Sequence, residues 1–146
     1  VGVTGAATAA SVTVTGAVDG GSIKRAGVDI PVQRTVTLAA QTIGADGTLL
    51  TFAHGLSAAP AWNRVSATLR CKSGSGGEAG YAEGQLAYNS SSYTGAETNG
   101  VVLVGTDTTN VYYRIGSAGP GTFHYTTGAP TALTNAKWEL IVTVDY

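Results

Sequence analysis

The stretch Leu49 to Lys72 constrains the fold most, because its second half suits only one regular structure. Val65, Ala67, Leu69 and Cys71 take every other position, with Ser66, Thr68, Arg70 and Lys72 between them. A period of two is the signature of a strand with one buried face. Ahead of it, Gly55 permits a backbone turn, while Pro60 fixes its own φ and pushes Ala59 towards an extended conformation. The segment predicts strand, tight connection, strand, with no helix running through to Trp62.

The end of the chain carries the clearest alternation. Trp138, Leu140, Val142, Val144 and Tyr146 share one face, opposite Lys137, Glu139, Thr143 and Asp145. Further strands are expected at Gly47 to Phe52, Tyr81 to Tyr88, Asn110 to Ile115 and Thr122 to Thr126, with Val111, Tyr113 and Ile115 on one side of theirs. Val101 to Val104 is apolar throughout and predicts a strand covered on both faces; Asn99-Gly100 before it suits a hairpin turn. Thr131 to Ala136 has room for one helical turn, but nowhere does an apolar 3.6-residue period persist through three turns. Short strands, Gly-rich turns and no crossover helix predict an all-β fold: an antiparallel β-sandwich, a jelly-roll-like domain or a barrel.

Residues 1–40 have a different texture. They are rich in Val, Thr, Ala and Gly, and no aromatic residue precedes Phe52. Ser11 to Val18 alternates like a strand, as does Val28 to Leu38 around Pro31, a residue usually confined to sheet edges. The expectation is an extended β-rich N-terminal arm (1–40) packing against its own copies in an oligomer, followed by a tip domain (41–146). The same composition also suits a flexible linker.

Charged residues make up 12% of the chain, about half the usual ~25%, and the formal net charge is −1. No long-range field draws in nucleic acid or an anionic membrane, so neither partner is expected. The longest aliphatic run, Val101 to Val104, is far short of the ~18 residues of a membrane helix, so membrane insertion is not expected either. Cys71, the single cysteine, falls on the buried face of its strand and reads as a core thiol. His54 and His124 have no neighbouring His, Cys or spaced acid to complete a metal site, and His54 is expected to hydrogen-bond the turn it sits in. No G-x-S-x-G elbow occurs, and the carboxylates of Glu78, Glu83, Glu97 and Asp107 show no diagnostic spacing. The glycines at 74, 76 and 77, with Ala79, loosely mimic a dinucleotide fingerprint, but a β segment follows where a helix is needed. No catalytic residue, metal or cofactor is expected.

The region Tyr81 to Gly100 offers binding chemistry. It places Tyr81, Tyr88 and Tyr93 among Asn89, Ser90 to Ser92 and Asn99, mixing rigid amphipathic rings with short hydrogen-bonding groups. Such surfaces suit sugars, whose apolar ring faces stack while their hydroxyls need partners. Tyr81, Tyr88, Asn89, Tyr93 and Asn99 are the candidate ligand-binding residues. Tyrosines packing at a sheet or subunit edge would give the same pattern.

Phe52-Ala-His-Gly-Leu56 with Pro60, then Leu69 to Gly84 (LRCKSGSGGEAGYAEG), Asp107 to Gly116 (DTTNVYYRIG) and a terminal Trp138-Glu-Leu with an aromatic end are similar to the C-terminal modules of tailed-bacteriophage fibre and spike proteins. The resemblance covers roughly residues 41–146. It implies a non-enzymatic virion component made in the bacterial host cytoplasm, a homotrimer joined to other virion proteins, which binds a bacterial surface polysaccharide or protein. Head fibres and gene-transfer particles use similar modules, so tail and head attachment both fit. A stand-alone carbohydrate-binding lectin, a purely structural capsid or fibre protein and a secreted polysaccharide hydrolase are the alternatives.

Overall fold

The structure, a computed structural model, describes residues 34–146 except 91, 95 and 96, together with two short strands before them. Side chains are described from Arg34 to Ser90 and from Thr98 onward. In chain order the strands are β1 Ile23–Arg25, β2 Val28–Ile30, β3 Thr35–Thr37, β4 Gln41–Thr42, β5 Leu49–Ala53, β6 Val65–Cys71, β7 Leu86–Ala87, β8 Ser92–Thr94, β9 Glu97–Asn99, β10 Val101–Thr106, β11 Asn110–Ile115, β12 Gly121–Phe123, β13 Pro130–Ala132 and β14 Trp138–Asp145. Single 3-10 turns at Trp62–Arg64 and Asn135–Lys137 are the only helical elements among the described residues. All pairings are antiparallel, so the all-β class follows as expected.

The chain divides between Val32 and Gln33. Ahead of the division, β1 and β2 pair in a two-stranded ladder. The expected strand Ser11 to Val18 lies outside the described residues. The expected division fell after residue 40, whereas the compact unit takes in the residues from Gln33 onward. Arg34 and Tyr146 exchange both backbone hydrogen bonds, β3 and β4 pair with β14, and the Leu38 N–H donates to the Val142 carbonyl. Residues 34–43 are thus edge-strand material for the compact unit.

β14 organises that unit. It pairs with β6 over seven positions, Trp138↔Cys71 to Val144↔Val65, while β3 and β4 share its other edge and β7 extends the sheet beyond β6. Its alternation is complete: Trp138, Leu140, Val142 and Val144 are fully buried, and the residues between them are half-buried. Opposite them on β6, Leu69 and Cys71 are also fully buried. A second sheet, in the order β10-β11-β5, presents Val101, Val111, Tyr113, Ile115, Leu50 and Phe52 to the same buried cluster. Phe52 meets Tyr113 edge-on, with centroids 6.3 Å apart.

Several local expectations give way to tertiary pairing. Trp62 to Arg64 is a 3-10 turn rather than the start of β6, and Trp62 is exposed. Of the expected strand Tyr81 to Tyr88, Leu86–Ala87 pairs with β6, and Gly84 and Gln85 are bonded to the Cys71 backbone at its end. Before it the chain turns, with the Gln85 N–H donating to the Ala82 carbonyl and the Gln85 side chain accepting from the Ala82 N–H. Val101 to Val104 is not covered on both faces. Val101 is buried, but Val102 and Val104 are exposed, because the sheet β10-β11-β5 turns only one face to the core. Asn99-Gly100 is not a hairpin turn either: β9 pairs back to β8 and β10 pairs onward to β11, so the dipeptide marks a change of ladder. Strand β12 stops at Phe123, and Pro130–Ala132 returns alongside it as β13. Tyr146, beyond the end of β14, is exposed rather than inward.

Replacing Leu140 with Ala removes a fully buried side chain from the most constrained strand. Urea denaturation is expected to show a loss of roughly 2–5 kcal/mol, with Thr143→Ala, on the other face, costing much less.

Candidate binding site

The candidate residues gather around the Trp138 end of β14. Trp138 is fully buried, and its indole N–H donates to Glu78 Oε2 at 2.7 Å. The same carboxylate accepts the Thr134 backbone N–H at 2.9 Å and the Thr134 hydroxyl at 2.7 Å. Partial burial pushes the Glu78 carboxyl up, but the Thr134 and Trp138 hydrogen bonds and the nearby Lys137 charge outweigh it and leave the group below the ordinary carboxylate value. Glu78 thereby pins the Gly-rich segment 73–85 to the start of β14.

Tyr81 sits on that anchor. Its ring meets Trp138 edge-on at 5.6 Å and Tyr125 at 5.2 Å, and its hydroxyl donates to the Phe123 carbonyl at 3.0 Å. The half-buried Tyr81 is therefore a brace. It carries the neighbouring rings rather than presenting its own. Tyr125 donates its N–H to the Ala79 carbonyl, which ties the chain after β12 to the same loop.

Tyr88 is different. It is 75% exposed, and Tyr125 and Phe123 are also exposed, at 63% and 45%. The segment bearing Tyr88 runs along β12: the Thr122 hydroxyl donates to the Tyr88 carbonyl at 2.6 Å, and the Ser90 N–H donates to the Gly121 carbonyl. Tyr88 and Phe123 thus rise from adjacent backbones, and Tyr125 follows two residues on. Large rings left in water on a backbone held this firmly form a ready stacking surface.

Of the two asparagines, Asn89 is used internally. Asn89 donates to the Val101 carbonyl and accepts the Val101 N–H at 3.0 Å, so its amide closes a two-bond bridge to the edge of β10. Asn99 lines a small cavity of about 140 Å³ with Ser90, Gly121, Thr122, Pro130, Thr131 and Ala132. Its buried Oδ1 has no hydrogen-bond partner among the described residues. Tyr93 lies on β8, opposite Thr98 in the ladder, and its side chain is outside the described residues.

Sequence reasoning brought Tyr81 and Tyr88 to one region but missed Phe123 and Tyr125. Their signal was present in the segment Gly121 to Thr126, where two aromatic residues in a short strand and turn follow a Gly-Pro-Gly break. The loop Ser117 to Thr122, another place for exposed polar groups, is tied down: Ser117 Oγ accepts the Thr98 N–H, and the Ala118 N–H donates to the Thr98 carbonyl. At Gly116 the chains cross so closely that a Cβ would lie 2.0 Å from the Thr98 carbonyl oxygen.

Elsewhere, His54 bonds its own turn as expected, accepting the Leu56 N–H at Nδ1, while Nε2 meets the Asp107 carbonyl at 3.0 Å. Among the described residues no three His, Cys, Asp or Glu side chains gather into a metal-sized group, and no helix is long and apolar enough to cross a membrane. No known family model, curated protein or solved structure matches the chain.

Because the folded-state value of Glu78 is depressed, its contribution is complete above the ordinary carboxyl value of 4.5 and is lost as pH falls through the folded value. Scanning calorimetry should show the melting temperature falling on acidification from about pH 6 to about pH 3. Glu78→Gln is expected to melt lower at neutral pH and to lose less on acidification, since Glu83 and Asp107, also depressed, still titrate.

Proposed function

We propose that the chain is a non-enzymatic virion fibre component whose compact unit binds a bacterial surface polysaccharide through the ring-bearing end of β14. The observation that carries this reading is the exposed set Tyr88, Phe123 and Tyr125 on a backbone braced by Tyr81, Trp138 and Glu78. Stacking a sugar face on a tyrosine ring gains most when the ring does not have to be ordered first. The position supports the reading too. The chain enters the compact unit beside Tyr146, and the eight residues of β14 place the rings about 25 Å away along the strand. A module attached at one end and sticky at the other is what a fibre tip requires.

The motif resemblance to fibre and spike modules supports the virion setting, with synthesis in the host cytoplasm and assembly onto other virion proteins. It also supports a homotrimer. Three weak sites on one particle gain avidity of ~10²–10⁴ where geometry allows joint contact. A stand-alone lectin would use the same rings. A purely structural capsid or fibre protein would not need them.

Two measurements test the reading. Light scattering is expected to give the mass of a trimer at micromolar concentration, and a monodisperse monomer would remove the trimeric assembly. The double variant Tyr88→Ala with Phe123→Ala, exposed rings outside the Tyr81 ring contacts, should lose attachment to host cells, while its melting temperature stays within a few degrees of the parent, since surface substitutions usually cost less than about 0.5 kcal/mol. Normal attachment by that variant would leave the purely structural role.

A further inference from the structure

The opposite end of β14 holds a separate feature that the ring-bearing end does not explain. A cleft of about 470 Å³ opens between the 55–61 loop, Arg64 on its 3-10 turn, and Asp145 with Tyr146. That volume lies within the range of small-molecule sites. We propose that this cleft binds an acidic sugar residue.

The walls are preformed. Gly55, at φ +67°, makes the turn that a side chain would resist. Just before it, buried His54 fixes the loop by accepting the Leu56 N–H and bonding the Asp107 carbonyl. At the far side Pro60 is buried, and its carbonyl accepts the Thr106 hydroxyl at 2.9 Å. None of these contacts uses the side chain of Arg64 or Asp145. Binding therefore pays little to order the loop.

The chemistry facing the cleft has three parts. Arg64 is exposed, and its guanidinium has no hydrogen bond or ion pair among the described residues. Asp145 lines the same cleft without pairing to it, and its Oδ1 accepts the Thr35 hydroxyl. Opposite charges that share a cleft yet do not meet leave room for a ligand that satisfies both. A guanidinium favours a carboxylate, which it grips with two parallel N–H bonds, and Asp145 accepts hydroxyl donors. The third part is apolar: the exposed face of Tyr146, with the exposed Ala58 and Ala59, offers a surface for the C–H face of a pyranose. A carboxylate, several hydroxyls and one apolar face together describe a uronic acid. A zwitterionic peptide end could satisfy the two charges but has no use for the flat apolar wall.

This site does not depend on cell attachment by the ring-bearing end, and its test needs neither cells nor virions. Purified full chain is titrated with D-glucuronate, glucose and glycylglycine, followed by amide NMR. Glucuronate is expected to shift the signals of residues 55–61, 64, 145 and 146, with glucose binding far more weakly. Arg64→Gln should weaken glucuronate by about tenfold or more, the usual loss for a hydrogen-bonded charge. Ala58→Trp, at an exposed wall position, should abolish the shifts while the melting curve confirms folding. Glucuronate shifts that are absent or unchanged in Arg64→Gln, or a stronger response to glycylglycine than to glucuronate, would overturn the assignment.

Discussion

The antiparallel pairing of β14 with β6 is the constraint on which the rest of the compact unit leans. Seven consecutive register positions bring two alternating segments face to face, so that every inward side chain of one meets an inward side chain of the other. A slip of one residue would turn Trp138, Leu140, Val142 and Val144 into water at once. Because β14 also pairs with β3 and β4 along its other edge, the first and last parts of the unit close on a single strand. The Trp138 end then becomes the floor beneath Glu78 and Tyr81, and the Tyr146 end becomes one wall of the Arg64 cleft.

The strands legible in the sequence are those whose burial is decided within the strand itself. β6, β11 and β14 each show strict alternation, and their inward residues are the ones the pattern picks out. Val101 to Val104 misled because an unbroken apolar run says nothing about how many faces of its sheet are covered: with one face open, Val102 and Val104 face outward just as polar residues would. The Asn99-Gly100 turn misled for a related reason. Local chemistry favours a hairpin there, but pairing is decided by long-range partners, and β10 finds β11 while β9 finds β8. Trp62 also shows that an aromatic residue before a strand need not join it.

The candidate binding region was legible as composition and not as geometry. Tyr88 could be identified because its surroundings are polar, and it is exposed. Tyr81 has the same local look yet is committed to Trp138, which lies 57 residues away in sequence. Asn89 resembles a ligand contact by type, but its amide has the shape of a peptide group and bridges to the Val101 backbone instead. The Arg64 cleft left no motif at all, since Arg64 and Asp145 are brought together only by the register of β6 and β14.

The way the chain enters the compact unit has a mechanical consequence. From Arg34 to Ile43 it runs beside β14 for that strand's whole length, bonded at Tyr146, at Val142 and finally where the Ile43 N–H meets the Trp138 carbonyl. Ladder hydrogen bonds lie across the strands. Tension applied at residue 33 along the strand direction, and resisted at the Trp138 end, would load these bonds side by side rather than one after another. Peeling would break them singly and at low force; sliding must break them together. A segment anchored in this way resists most when it is pulled along its length and least when it is lifted from one end.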